Sequence, residues 1–198
     1  MKKITILCLM VLFVAALPVF ANGDRDTSGP FSWNMALINA RTGEMVPFSA
    51  PVQSSTGERF QLVIEAESTC YLYVIAISAD ETEADILYAG LFGAGQIWYS
   101  QILELVPPQG SESLYVITSL TEQQTLAQRI TAYNANSGAT QRRALVNEIF
   151  RIRSDASRFR EEPEKPVLMG GATRGEDKGT GVEYSGSEIY VKTISIEH

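Results

Sequence analysis

Histidine is nearly missing from this chain of 198 residues, with His198 as its single copy. A chain end is usually mobile, so a nucleophilic serine, threonine or cysteine has no credible imidazole base. The same count excludes an HExxH zinc site. Cysteine is almost as scarce, with only Cys8 and Cys70 present. Nucleotide signatures are also missing. Gly90, Gly93 and Gly95 (GLFGAG) are followed by no GKS or GKT and stand between no strand and helix, so they read as a bend. There is no GxSxG elbow. Basic residues are outnumbered, 16 against 23 acidic, for a net charge of −7. That balance opposes general nucleic-acid binding, which needs clustered basic side chains.

A second long apolar run is lacking too, which throws weight on the first. Lys2 and Lys3 precede an apolar stretch from Ile4 to Ala16, and Val19 and Ala21 stand three and one places before Asn22. This is the layout of a secretory signal peptide over residues 1–21, with cleavage expected after Ala21. The run is shorter than the roughly 20 residues of a spanning helix. Cys8 lies too early to be a lipidation site. Cleavage leaves 177 residues with a net charge of −9 and Cys70 alone. An internal disulfide and a cysteine-based zinc site are then excluded. Cys70 lies in the most apolar run and is expected to be a buried, inert thiol.

The rest reads as one domain over 31–198, after a flexible lead at 22–30 (NGDRDTSGP). Phe31 to Ala40 begins a series of short β-type runs. Phe60, Leu62, Ile64 and Ala66 alternate with polar neighbours, as in a half-buried strand. Cys70 to Ala79 (CYLYVIAISA) is apolar nearly throughout, which predicts a strand covered on both faces. Strands are also expected at Ile86–Tyr88, Ile97–Val106, Leu114–Leu120 and Glu188–Glu197. Thr121 and Gln124 have the spacing of a capping box. They open a helical pair over about 121–160, broken at Asn134–Ala139. Leu145, Ile149, Ile152, Ala156 and Phe159 form one apolar stripe on the second helix. Residues 170–187 are rich in glycine and charge and are expected to be a mobile loop. The expected fold is mainly β: an antiparallel β-sandwich, Ig-like in general shape, decorated by the helical pair and closed by the C-terminal strand.

Charge is uneven along the chain. Residues 22–130 hold 13 acidic and 4 basic side chains, whereas residues 131–198 hold 10 of each. The second helix carries Arg142, Arg143, Arg151, Arg153, Arg158 and Arg160. Attraction to the acidic β region is the simple account of this helix, and a face for an acidic partner the sharper one. Asp80, Glu81, Glu83 and Asp85 crowd one turn but lack the glycine and spacing of a calcium loop. Trp98 and Tyr99 are neighbours on a strand and point to opposite faces. One of them is expected to be exposed, where it would serve as a stacking platform; Trp33 is the weaker candidate.

Several features of residues 57–120 occur in a recognisable order. Gly57-Glu58-Arg59-Phe60 opens a strand, Cys70-Tyr71-Leu72-Tyr73-Val74 follows, and then Ile86-Leu87-Tyr88. Val106-Pro107-Pro108-Gln109-Gly110-Ser111-Glu112 makes a turn before Leu114 to Ser119. This segment resembles the bacterial family called domain of unknown function 4384, with Ala89 where that family has a proline. The resemblance implies a β-rich exported module and transfers no catalytic residue. No catalytic, cofactor-binding or metal-ligating residue is therefore nominated, and no cofactor is expected. The function expected is an exported, non-catalytic binding module of the bacterial envelope, with a protein or envelope component as partner. Two alternatives stay open. One is a carboxylate-dependent hydrolase of cell-wall or sugar polymers, marked by an acidic pair in an aromatic-lined cleft. The other is a self-assembling envelope component that uses an exposed edge at Glu188–Glu197.

Overall fold

The computed structural model describes residues 31–156, 165–168, 180–186 and 188–198. The signal peptide, the flexible lead, Phe159, Arg158 and Arg160 lie outside the described residues. The chain runs through β1 (Phe31–Asn39), β2 (Met45–Val46), β3 (Val52–Gln53), β4 (Arg59–Ala66), β5 (Cys70–Ile77) and β6 (Ala84–Phe92). Then come β7 (Ile97–Tyr99), β8 (Leu103–Glu104) and β9 (Ser111–Ser119). Helices α1 (Gln124–Ala135) and α2 (Ala139–Ala156) follow, and β10 (Lys165–Leu168), β11 (Thr180–Gly186) and β12 (Ile189–Glu197) end the chain.

These elements form three layers. A seven-stranded sheet runs in the order β10-β11-β1-β4-β7, with β2 on β1 and β8 on β4. A five-stranded sheet runs β3-β12-β9-β5-β6. The helical pair covers the outer face of the second sheet. Strand β5 explains why. Leu72 and Val74 face the first sheet and pack with Trp33, Leu62 and Ile64. Tyr73, Ile75 and Ile77 face the other way and pack with Leu126, Ile130, Leu145 and Ile149. A strand apolar on both faces needs a cover on both, and the stripe of α2 supplies one.

The expected closure by the C-terminal strand is wrong. Neither sheet is closed, and β12 lies within the five-stranded sheet. It pairs with β9 over nine residues and with β3 only at Ile196 and Glu197, in parallel. Tyr190, Ile194 and Ile196 bury their side chains between the sheets, and this register commits the strand to one sheet. The fold is therefore a mixed α/β arrangement of two open sheets and a helical pair. On the side away from β9, only Ile196 and Glu197 of this strand have a strand partner among the described residues.

Three local expectations also change. Thr180–Gly186 is a strand, paired with β1 from Phe31↔Gly186 to Met35↔Val182, where a loop was expected. Val182 and Tyr184 pack into the core, and Tyr184 stacks on Trp33 at 5.7 Å. Two glycines and the charges around them hide that alternation. The capping box does not form. Gln123 is the N-cap and makes no side-chain cap bond. Its N–H instead donates to Tyr73 Oη at 3.0 Å, and its Nε2 donates to Ser119 Oγ at 2.9 Å. Bonds to the sheet thus replace the local cap. Finally, Ile97–Val106 is two short strands rather than one. The Ser100 hydroxyl accepts the Leu62 N–H at 2.9 Å and donates to the Gln101 carbonyl at 2.6 Å, so a side chain takes a place in the ladder.

Candidate functional site

The basic helix is partly committed within the molecule. Arg151 bonds Glu148 at 2.6 Å and Asp155 at 2.7 Å along its own helix. Glu148 is buried, and this pairing explains how its charge is tolerated there. Arg142 donates to the carbonyl of Thr82, which ties α2 to the acidic turn. Arg143 and Arg153 project from the remaining surface. Internal attraction thus accounts for two of the four arginines of α2.

Within the acidic turn, Asp80 is committed to local geometry. The Asp80 carboxylate accepts the Thr82 N–H at 3.0 Å, the Thr82 hydroxyl at 2.7 Å and the Ser78 hydroxyl at 2.8 Å. These bonds hold its carboxyl below the usual carboxylate range. Among the described residues, no three acidic, histidine or cysteine side chains gather as a metal site. Gly93 and Gly95 turn the chain from β6 into β7, whereas Gly90 lies within β6. Cys70 is buried, and desolvation pushes its thiol up to about 11.

The aromatic pair divides as alternation demands. Trp98 turns inward and meets Tyr88 edge-on at 5.6 Å, while Tyr99 is 44% exposed. Trp33 is fully buried and is no platform. Tyr99 belongs to a broader feature. Strand β6 ends the five-stranded sheet, and β7 ends the main path of the other. Along this open side Leu91, Ile97, Ile102 and Val106 are also exposed, Leu91 by 59%, Ile102 by 56% and Val106 by 55%. No other large apolar side chain of the described residues is exposed except Phe150 on α2.

Near one end of this side lies a cavity of about 160 Å³. Its walls come from the end of β5, the start of β6, the segment 101–106, β9 and β12. Leu105, Leu114 and Ile196 supply apolar wall, and Glu83, Asp85, Glu104 and Glu112 supply carboxylates. Arg59 neutralises Glu104, at 2.8 Å. Burial holds the Glu112 carboxyl above its ordinary range; His198 opposes the shift and Asp85 adds to it. A second cavity, of about 460 Å³, lies beside it and shares Ile102. Neither cavity is lined by an aromatic side chain.

His198 overturns the expectation of a mobile end. Its side chain is fully buried, and its main chain exchanges two 3.0 Å hydrogen bonds with Gly110. Thr56 Oγ1 lies 3.2 Å from Nδ1, and Glu112 Oε1 lies 3.5 Å from Nε2. The position within the sequence concealed this, because the contacts come from residues 56, 110 and 112. No family model, curated protein or solved structure matches this chain. Geometry and sequence therefore carry the functional argument.

Proposed function

We propose that this protein is an exported, non-catalytic binding module of the bacterial cell envelope. One observation carries the reading. The open side between β6 and β7 places Leu91, Ile97, Ile102 and Val106 in solvent, while the faces of β5 are dry. Exposed apolar side chains at or beside the edges of sheets are a common way to receive a partner. Export is supported by the leader pattern of residues 1–21. No helix of the described residues is long and apolar enough to cross a membrane. The hydrolase alternative has less support, since the acidic cavity is smaller than a typical small-molecule site of about 300 Å³ or more and has no aromatic wall.

Site-specific photocrosslinking in native cells tests this reading. A photoreactive group at position 102 or 91 is expected to capture a reproducible partner, and the same group at position 153 on α2 is not. Equal capture from all three positions, or from none, would sink the proposal. N-terminal sequencing of the exported protein is expected to begin at Asn22.

A further inference from the structure

The cavity at the open side has two chemical characters at once. Its floor is apolar, with Leu105, Leu114 and Ile196 nearly inaccessible. Its rim is anionic. Glu83 and Asp85 are exposed and make no ion pair among the described residues. Arg59 answers Glu104 and His198 stands against Glu112. Arg142, the nearest arginine of α2, is bonded to the Thr82 carbonyl. Glu83 and Asp85 are thus left as uncompensated charge at the mouth. The size is also selective. A cavity of about 150 Å³ is filled by one benzene-sized group, so about 160 Å³ takes one side chain. Lysine and arginine match both characters, because they lay an aliphatic stem on apolar wall and keep the charged head at a polar rim.

We propose that this cavity receives a lysine or arginine of an extended partner segment, whose flanking apolar residues rest on Ile102 and Val106. This rests on the binding-module reading and names the partner's chemistry. The flanking contacts decide for a polypeptide over a small amine. Ile102 and Val106 are more than half exposed, and a free amine would leave them wet. Strand β6, the last of its sheet, has Asp85 near its start in the cavity wall, so an extended segment has an edge to follow.

The test uses the mature chain and three fluorescent peptides in anisotropy titrations. Each peptide is short and alternates valine with threonine. The central residue is lysine, norleucine or glutamate. The lysine peptide is expected to bind at least about tenfold more tightly than the norleucine one, with no detectable binding of the glutamate one. The joint substitution Glu83→Gln and Asp85→Asn is expected to remove the lysine advantage, and added salt to weaken it. Val106→Asp, at an exposed position that tolerates change, is expected to weaken all binding without shifting the thermal midpoint. Equal binding of the lysine and norleucine peptides, still lost in Val106→Asp, would overturn the cationic anchor and leave the binding-module reading intact. Binding of n-butylammonium as tight as that of the lysine peptide would show a small-amine site and overturn the docking. No binding of any peptide would overturn it as well. If crosslinking from position 102 also failed, the module reading would go with it. Self-association through this side, seen as a Val106→Asp-sensitive dimer in sedimentation, would replace the foreign partner with a second copy.

Discussion

Strands β5 and β6 lie side by side in one sheet, yet they live in different solvents. Leu72, Val74 and Ile75 of β5 have no accessible surface, whereas Leu91 of β6 is 59% exposed. Both strands are rich in apolar residues. The difference is position. β5 has β9 on one side, β6 on the other, a sheet below and helices above. β6 is the last strand, and only part of it is covered. Apolar content alone therefore does not tell a core strand from a binding edge. What separates them is how many neighbours the topology places around each.

The sharpest test of that contrast is paired truncation. Leu72→Ala on β5 is expected to cost about 2–5 kcal/mol, from lost burial plus the cavity left behind. Leu91→Ala on β6 is expected to stay within about 0.5 kcal/mol. Urea denaturation of both variants measures the gap, and equal losses would show that β6 is as deeply built in as β5. A smaller effect is expected where β6 is tied to the helices. Tyr133 Oη accepts the Ala84 N–H at 3.2 Å. Tyr133→Phe strands that buried donor and is expected to cost about 1–3 kcal/mol.

Titration sharpens the contrast further. Burial keeps the Glu112 carboxyl above its unfolded value, so the folded protein holds this proton longer than the unfolded chain. Stability from this group is thus greatest at low pH and falls as pH rises from about 4.5 upward. Glu112→Gln is expected to flatten that slope in denaturation midpoints taken between about pH 4 and 7. A steeper slope in the variant would contradict it. On β5, the Cys70 thiol sits at about 11, so a maleimide at mildly alkaline pH is expected to label it only as fast as the protein unfolds. Labelling within seconds of mixing would place Cys70 at an open surface. The smallest effect is expected on α2. Changing Arg143 and Arg153 to glutamine is expected to move stability by no more than about 0.5 kcal/mol and to leave capture from position 102 unchanged.

Much of this framework can be read along the chain, and the reasons are local. The unbroken run Cys70–Ile77 requires two covers, and both are there. The spacing Leu145, Ile149, Ile152 and Ala156 marks one side of α2, and those four residues are buried. Alternation in β4 and the opposed directions of Trp98 and Tyr99 follow from the pleat. The failures share a different cause. Strands β2 and β3 have two residues each, too short for any period, and exist because β1 and β12 offer them edges. The start of α1 is set by Tyr73 and Ser119, far from a local cap. β11 was hidden by glycines, and only its register against Trp33 explains why it is ordered.

The candidate site was the least legible part. Its carboxylates were visible one by one, but nothing in their spacing joins Glu112 to Asp85 or sets His198 against Glu112. Those groups come from separate strands and loops.

The sequence by itself determined the scarcity of histidine and cysteine, the apolar strands and helix stripe, and the leader pattern at its start. Each of these is a matter of residue type and short-range spacing, which bonding geometry turns directly into a strand or a helix face. The tertiary structure alone decided that the sheets stay open, that β12 pairs with β9 along its whole length and that His198 is buried. It alone gathered acidic and apolar side chains at one edge. Those outcomes depend on which distant segments compete for the same edge or core position, and packing over long sequence separations settles that competition.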